Sequence, residues 1–315
     1  MYLIRGKQNI DLFLKRHPDI NLIATIGNFD GLHLGHQHII KNMQIDAKIK
    51  NLKKLVIFTE PHAKEFFAES LGMEVEKPPR IFPWSEKVRK LKELGVEFAF
   101  FLNFNNQLRN MTPEDFIDQV LSKLNIKKIV IGDDFRFGAN REGDFTFLKE
   151  WGEKNRITVE KTETFSHEGE RVSSTRIREC LTNDNFKEAS DLLGRPYAFN
   201  GKVVYGQQLG RSLGVPTANL WLPKNRLPVS GVYIVKIEHG NNLYEGIANM
   251  GIRPTVGGQN PVLEVHIFDF SGNLYGQKIN VEFLKKIRDE KKFEGLEELK
   301  DQIYKDIAFA KEYLS

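Results

Sequence analysis

Gly27-Asn28-Phe29-Asp30-Gly31-Leu32-His33-Leu34-Gly35-His36 is the stretch on which the reading of this chain turns. A short apolar run over residues 21–27 leads into it and reads as a buried strand ending at glycine. Residues 35–51 follow with helical spacing at Ile39, Ile40, Met43 and Ala47. The glycines let the backbone turn tightly and approach a ligand. His33 and His36 stand where the helix begins, and residues three apart share a helix face, so both rings can serve one ligand. A helix N-terminus offers unpaired N–H groups and partial positive charge, which suits phosphate. Imidazole donors there suit a phosphoryl oxygen that gathers charge. Gly27, Phe29, Asp30 and Gly31 are candidate nucleotide-binding residues, and His33 and His36 the candidate catalytic pair. Two other readings stand beside this one. His33, His36 and His38 suit a metal, although no HExxH pattern or cysteine ligand accompanies them. The string also suits a plain glycine-rich turn.

Outward from this stretch, strand-like and helix-like segments alternate. Residues 54–59, 97–102 and 128–132 read as buried strands. Residues 85–94 read as a helix with Ser85 as N-cap and Gly95 as its stop, and Thr112-Pro113-Glu114 opens another with Pro at its first position. The rhythm predicts an α/β domain with a Rossmann-like parallel sheet and helices on both faces, and ligands at the carboxyl ends of the strands. Beyond Leu193-Gly194-Arg195-Pro196 the segments become short, β-rich and glycine-punctuated, at 203–205, 231–237, 244–249, 263–268 and 278–283. That spacing predicts a small antiparallel β-barrel, closed by a helix over residues 296–313. The expected domains are residues 1–184 and 185–315.

The chain has 315 residues, room for about two domains. It is 40% hydrophobic and 28% charged, and its 46 basic and 42 acidic residues leave a formal charge of +4. Mixed signs of this kind argue against a nucleic-acid partner. The single cysteine, Cys180, cannot form an intrachain disulfide, there is no signal-peptide pattern, and no run is apolar enough to span a membrane. The expectation is a cytoplasmic protein without membrane contact, a monomer or weak homo-oligomer.

A second string, Gly210-Arg211-Ser212-Leu213-Gly214-Val215-Pro216-Thr217-Ala218-Asn219-Leu220, marks another phosphate site. The chain holds no GxxxxGK[ST] and no protein-kinase signature. Gly210 and Gly214 allow close approach, and Arg211 adds a positive fork. Thr217 and Asn219 are hard oxygen donors two apart, on one side of an extended segment, where both reach one Mg²⁺. Glu264 and His266 share one strand face and Leu263 and Val265 the other, which leaves a carboxylate available as a base.

The string from Gly27 to His36 resembles the HxGH nucleotidyltransferase superfamily, and most closely its flavin-forming branch. Glu60-Pro61-His62 is similar to that branch's EPH segment, residues 132–138 to its GDDFRFG loop, and residues 171–178 to its RVSSTxIR stretch. Residues 210–220 resemble the GRxLGxPTANL signature of riboflavin kinases, residues 246–256 their GVANxGxRPTV, and Leu263-Glu264-Val265-His266 their LEVH. The match runs in order from about Ile26 to Phe293. The chain is thereby identified as resembling the prokaryotic bifunctional riboflavin kinase/FMN adenylyltransferase (FAD synthetase) family. Thr59 departs from the family's aromatic residue, Ala63 from its proline, and Val215 from its phenylalanine.

The resemblance implies small-molecule substrates, riboflavin, FMN and ATP with Mg²⁺, and FMN and FAD as products. It implies ATP contacts for adenylyl transfer from Gly27, Phe29, Asp30, Gly31, Asp134, Arg171, Ser173, Ser174, Thr175 and Arg178, with Arg176 beside them. For the kinase it implies ATP contacts from Gly210, Arg211, Gly214, Pro216 and Thr217, Mg²⁺ on Thr217 and Asn219, and Glu264 as base. Flavin contacts are implied for Pro61, His62, Phe135 and Arg136 in the first half, and for Asn249, Arg253 and Arg288 in the second. A flavin or nucleotide binder without catalysis, and a chain with one live activity, are the rival readings.

Overall fold

The computed structural model describes residues 1–72, 78–206, 209–222, 227–255 and 258–315, with backbone alone at 209, 212, 252–255 and 258–260. The chain forms two compact units. Unit 1 is Met1–Pro78 with Lys87–Ser173, and unit 2 is Pro79–Glu86 with Ser174–Ser315. The expected division after residue 184 falls between two helices of unit 2, α8 (Ser174–Thr182) and α9 (Phe186–Leu193). These pack together, and the Arg176 guanidinium forks onto Glu188 at 2.7 and 3.0 Å.

Unit 1 runs β1 (Tyr2–Arg5), α1 (Ile10–Arg16), β2 (Leu22–Ile26), α2 (Leu34–Lys50), β3 (Lys53–Glu60) and α3 (Ala63–Ser70), then α4 (Trp84–Glu93), which starts among the residues grouped with unit 2. It continues through β4 (Phe98–Asn103), α5 (Asn106–Arg109), α6 (Pro113–Phe116), β5 (Ile126–Ile131), α7 (Phe145–Asn155), β6 (Thr158–Lys161) and a small hairpin of β7 (Ser166–His167) and β8 (Glu170–Arg171). The sheet is parallel and six-stranded, in the order β1-β4-β3-β2-β5-β6. Strand alternation sends Leu22, Ala24, Ile129 and Ile131 into one apolar cluster, with α1 and the α6 segment. Ile23 and Val130 go into another with Met43 and Ala47 of α2. The expected two-faced α/β layer is therefore present. Thr112 caps α6, its hydroxyl accepting from Asp115 N–H at 3.1 Å, with Pro113 at the first position. Ser85 is not an N-cap: the helix starts at Trp84, and the Pro83 carbonyl accepts from Glu86 N–H at 3.0 Å, so Ser85 lies inside the first turn.

Unit 2 continues from α8 and α9 through β9 (Ala198–Val204), α10 (Leu209–Ser212), β10 (Ala218–Leu220), β11 (Gly231–His239), β12 (Asn242–Thr255), β13 (Gly258–Ile267), β14 (Lys278–Arg288) and α11 (Leu296–Leu314). The strands close into an antiparallel barrel, β10-β13-β12-β11-β14-β9. Leu263 and Val265 are fully buried inside it. Helix α11 lies on β12 and β14, with Ala310, Ile303 and Ile307 against Ile234, Ile247 and Phe268. A buried ion pair helps fasten it: the Arg288 guanidinium donates to both oxygens of the buried Asp306 at 2.8 to 3.1 Å, and Gln302 donates to the same carboxylate at 2.9 Å.

Asp306 is 2% exposed, so removing its partner strands a charge. Arg288→Met should lower the unfolding free energy of the full chain in denaturant titration by about 3 kcal/mol. The double change Arg288→Met with Asp306→Leu should recover part of that. Additive losses would show that the pair is not coupled.

Candidate active sites

The loop after β2 is held in an unusual backbone shape. Phe29, Gly31 and Leu32 have φ of 50, 78 and 44°, in the left-handed region that non-glycine residues seldom adopt. Phe29 and Leu32 are each 1% exposed, so core packing holds a conformation that local preference resists. Gln37 Nε2 donates to the Leu32 carbonyl at 2.8 Å, which ties the loop to the first turn of α2.

His33 is the N-cap of α2, and the His36 backbone N–H donates to His33 Nδ1 at 3.4 Å. In neutral His33 the proton therefore sits on Nε2. The two imidazoles stack with centroids 3.7 Å apart and planes 20° apart, and the Phe29 ring lies 4.8 Å from His36. His36 Nδ1 is enclosed with no hydrogen-bond partner. Burial takes the His36 ring well below the ordinary imidazole pKa, and the positive charges of His33 and Lys87 add to the effect. His38 stands apart, with its Nε2 3.1 Å from Asn42 Nδ2 and its ring against Phe165. Among the described residues no group of three or more His, Cys, Asp or Glu is arranged to hold a metal ion.

The loop after β5 brings together Asp133, Asp134 and Arg171. Arg171 Nη2 lies 2.9 Å from Asp133 Oδ1 and 2.9 Å from Asp134 Oδ2, and the Thr164 hydroxyl donates to Asp133. Partial burial pushes the Asp133 carboxyl up, but the Thr164 hydroxyl and the Arg171 charge outweigh it and hold the group below its ordinary value. Phe135 stacks on Phe137 at 5.6 Å, and Arg136 Nη1 donates to the Phe135 carbonyl at 3.0 Å. At the end of β3, His62 caps α3. Its Nδ1 accepts from Lys64 N–H at 3.1 Å, and Glu65 accepts from the His62 N–H at 3.0 Å. Pro61 precedes it, and the Glu60–Pro61 peptide bond is cis. Thr59, at the position of the family's aromatic residue, donates to Asn28 Oδ1 at 3.4 Å. Ser173 ends unit 1, while Ser174, Thr175 and Arg178 lie on α8 of unit 2, where Arg178 Nε donates to the Pro79 carbonyl at 2.7 Å.

In unit 2 the barrel register builds a polar row. Asn219 of β10 is opposite Glu264 of β13, which is opposite Asn249 of β12. The alternation that buries Leu263 and Val265 turns Glu264 outward, so the row lies on the outer wall of the barrel. Asn219 is still 7% exposed, because Gly206 covers it: a Cβ there would come within 2.5 Å of Asn219 Cγ. Asn249 Oδ1 is buried with no partner. Thr217 is two residues before Asn219, and Gly210 packs closely on this segment: a Cβ there would come within 2.3 Å of the Val215 carbonyl and 3.4 Å of the Thr217 hydroxyl. His266 Nδ1 lies 2.9 Å from the Pro216 carbonyl and so ties β13 to the segment carrying Thr217. Arg211 is exposed on α10, and Gly214 has φ of +78° with the Tyr304 hydroxyl nearby. The Arg253 side chain lies outside the described residues. Arg288, expected at the flavin, is engaged by Asp306.

Residues 15–176 match the FAD synthetase family and residues 193–314 the riboflavin kinase family. A bifunctional riboflavin kinase/FMN adenylyltransferase from Escherichia coli strain K12 is 42% identical over 315 residues, covering 99% of this chain and 98% of the relative. The chain belongs to the bifunctional riboflavin kinase/FMN adenylyltransferase family. The Haemophilus influenzae member is 39% identical over 317 residues and covers all of both chains. A crystal structure described as a macrolide-efflux protein from Streptococcus pneumoniae is 31% identical, covers 99% of each chain and superposes with a TM-score of 0.77. Among the described residues of the present chain no helix is long and apolar enough to cross a membrane.

Sequence reasoning missed Lys87, whose Nζ donates to the Asn28 carbonyl at 2.8 Å and lies 4.8 Å from the Phe58 ring centre. Nothing in its helix sets this lysine apart from Lys90 or Lys92; the contact is between residues 59 positions apart in sequence.

The depressed His36 value carries a sign. Below about pH 6.5 the unfolded chain takes up a proton that folded His36 refuses. The contribution of this residue is full above about pH 6.5 and is lost as pH falls toward the folded value. NMR titration of the ligand-free protein should find His36 neutral at about pH 6. His36→Gln should flatten the loss of unfolding free energy between about pH 6.5 and pH 5. A ring titrating at its ordinary value would contradict the burial argument.

Proposed function

We propose that the two reactions of this flavin-nucleotide enzyme are divided between the units: unit 2 phosphorylates riboflavin to FMN, and the histidine loop of unit 1 joins FMN to the adenylyl group of ATP. The observation that carries this reading is the presence of two separate polar constellations, each built on its own sheet, neither containing a Walker loop.

In unit 2 the row Asn219–Glu264–Asn249 supplies the chemistry. Hard oxygen donors beside a carboxylate fit Mg²⁺, and the orphaned Asn249 Oδ1 calls for a partner of positive or hydrogen-bonding character. Thr217 and Asn219 would hold the ion, which when bound neutralises charge on the phosphates of ATP. Gly210, Arg211, Gly214 and Pro216 approach the nucleotide. Glu264 accepts the proton of riboflavin's 5′-hydroxyl as that oxygen attacks the γ-phosphorus and ADP departs. Asn249, Arg253 and Arg288 are the residues assigned to the flavin side.

In unit 1 a phosphate oxygen of FMN attacks the α-phosphorus of ATP. The new O–P bond forms as the bond to the β-phosphate oxygen breaks, and pyrophosphate leaves with the electron pair. No protein nucleophile is needed, so positioning and charge stabilisation do the catalysis. His33 and His36 act as donors at the head of α2, together with the backbone of residues 27–31. Asp134, Arg171 and Ser173 are assigned to ATP, and Pro61, His62, Phe135 and Arg136 to FMN. A cytoplasmic setting suits the lone, buried Cys180, whose thiol burial pushes up to about 11.

Single substitutions in the full chain separate the steps. Glu264→Gln should slow riboflavin phosphorylation at least about 100-fold and leave FAD formation from supplied FMN unchanged. His33→Ala should do the reverse, with a loss of about 100-fold or more in FAD formation. Loss of both steps from either change would contradict two independent sites.

A further inference from the structure

The polar row on the outer wall of the barrel has a neighbour that the two reactions, as assigned above, leave unused. Glu290 follows β14 in a stretch whose other charges are paired: Lys286 with Asp289 at 2.8 Å, Arg288 with Asp306 at 2.8 Å, and Lys291 with Glu298 at 2.9 Å. Glu290 is exposed, and among the described residues no hydrogen bond or ion pair engages its carboxylate. The side chain is nevertheless seated on β12. A Cβ built on Gly251 would collide with Glu290 Oε1 and stand 2.9 Å from its Cδ. Only the missing side chain of Gly251 gives the carboxylate this place.

The place is on the wall that carries the row. Ala248 and Met250 are 1% and 2% exposed, inside the barrel, so Asn249 and Gly251 share the outward face. The pairing of β12 with β13 runs without a slip through both, and it sets Asn249 opposite Glu264. The wall therefore presents Glu264, then Asn249 about 5 Å across the strand pair, then Glu290 over Gly251 about 7 Å further along β12. Asn249 Oδ1 is buried without a partner, and a carboxylate can only accept. Two acceptors in line beyond a base call for a ligand with several donors in a chain. In riboflavin that part is the ribityl chain, which carries a hydroxyl on successive carbons up to the reactive 5′ end. The flavin ring offers mainly acceptors.

We infer that Glu290 is a substrate-binding residue of the kinase reaction: together with Asn249 Oδ1 it accepts hydrogen bonds from the inner ribityl hydroxyls and so aligns the 5′-hydroxyl at Glu264. The inference rests on the reading of unit 2 given above. Glu290 moves no proton. It holds a chain with several free rotors at a second point, and hydrogen bonds to a carboxylate are stronger than those to a neutral acceptor. A flavin without those hydroxyls leaves both acceptors unmet, so the same contacts select the substrate.

The test measures riboflavin phosphorylation by the full chain and its Glu290→Ala, Glu290→Gln and Gly251→Ala variants, with Glu264→Gln alongside. The substrates are riboflavin and an analogue lacking the 2′- and 3′-hydroxyls. Glu290→Ala should raise KM for riboflavin about 10-fold or more, with KM for ATP and FAD formation from supplied FMN each within about two-fold. Glu290→Gln, which keeps one acceptor oxygen, should recover part of the loss. The unaltered chain should favour riboflavin over the analogue by about 10-fold or more, and Glu290→Ala should lose most of that preference, which a merely structural glutamate would not affect. Gly251→Ala should resemble Glu290→Ala, because its methyl group displaces the carboxylate, and adding it to Glu290→Ala should cost little more. An unchanged KM for riboflavin in Glu290→Ala, or a preference over the analogue that survives the change, overturns the inference. If Glu264→Gln leaves phosphorylation intact, the reading of unit 2 falls as well; if Glu264→Gln stops it while Glu290→Ala keeps the ordinary KM, the inference about Glu290 alone fails.

Discussion

Two imidazole rings 3.7 Å apart cannot both carry a proton's charge without penalty. Two unit charges about 4 Å apart repel by about 4 kcal/mol at an effective dielectric of about 20. Stacking and burial thus hold the His36 ring neutral against His33 at the head of α2. The pair offers donors in a fixed arrangement where the helix begins. Much of unit 1 answers to this constraint. The left-handed residues Phe29 and Leu32 press the loop onto the core, so the rings are held in place by packing. The parallel sheet presents the ends of β2, β3 and β5 together, and Thr59 near the end of β3, with Asn28 and Asp133 after β2 and β5, is drawn into hydrogen bonds and ion pairs around the same edge.

Unit 2 meets a related problem with another device. A barrel buries alternate side chains, and the intervening ones face outward. The register of β10, β13 and β12 lines up Asn219, Glu264 and Asn249 across three strands. Loop residues then close over the row, Gly206 on Asn219 and Pro216 on His266. The polar atoms are thereby enclosed without entering the apolar interior. Enclosure strengthens each charge and leaves Asn249 Oδ1 without a partner, the kind of local cost that binding sites retain.

The fold was legible where the pattern was local and long. The runs at 54–59 and 231–237 became β3 and β11, and the spacing over 296–313 became α11. Strand β1 was missed because Tyr2–Arg5 is too short to show a period; it is placed by its parallel pairing with β4. The two phosphate strings were readable because each is a contiguous loop in which glycine, histidine or paired oxygen donors have few other uses. The residues that support them were not. Lys87, Thr164 and Asp306 look like ordinary surface residues in sequence, and their importance comes from contacts across 59, 31 and 18 positions. His62 and Arg288 illustrate the reverse: each was expected at the flavin, and the structure also gives each a packing task, as a helix cap and as an anchor of α11.

The central claim is that one chain carries two independent ATP sites. Equilibrium titration of the full-length protein with a non-hydrolysable ATP analogue and Mg²⁺ tests it most directly. The account predicts two equivalents bound per chain, one lost on altering the head of α2 and the other on altering Thr217 and Asn219. A single equivalent, abolished by either change, would contradict it.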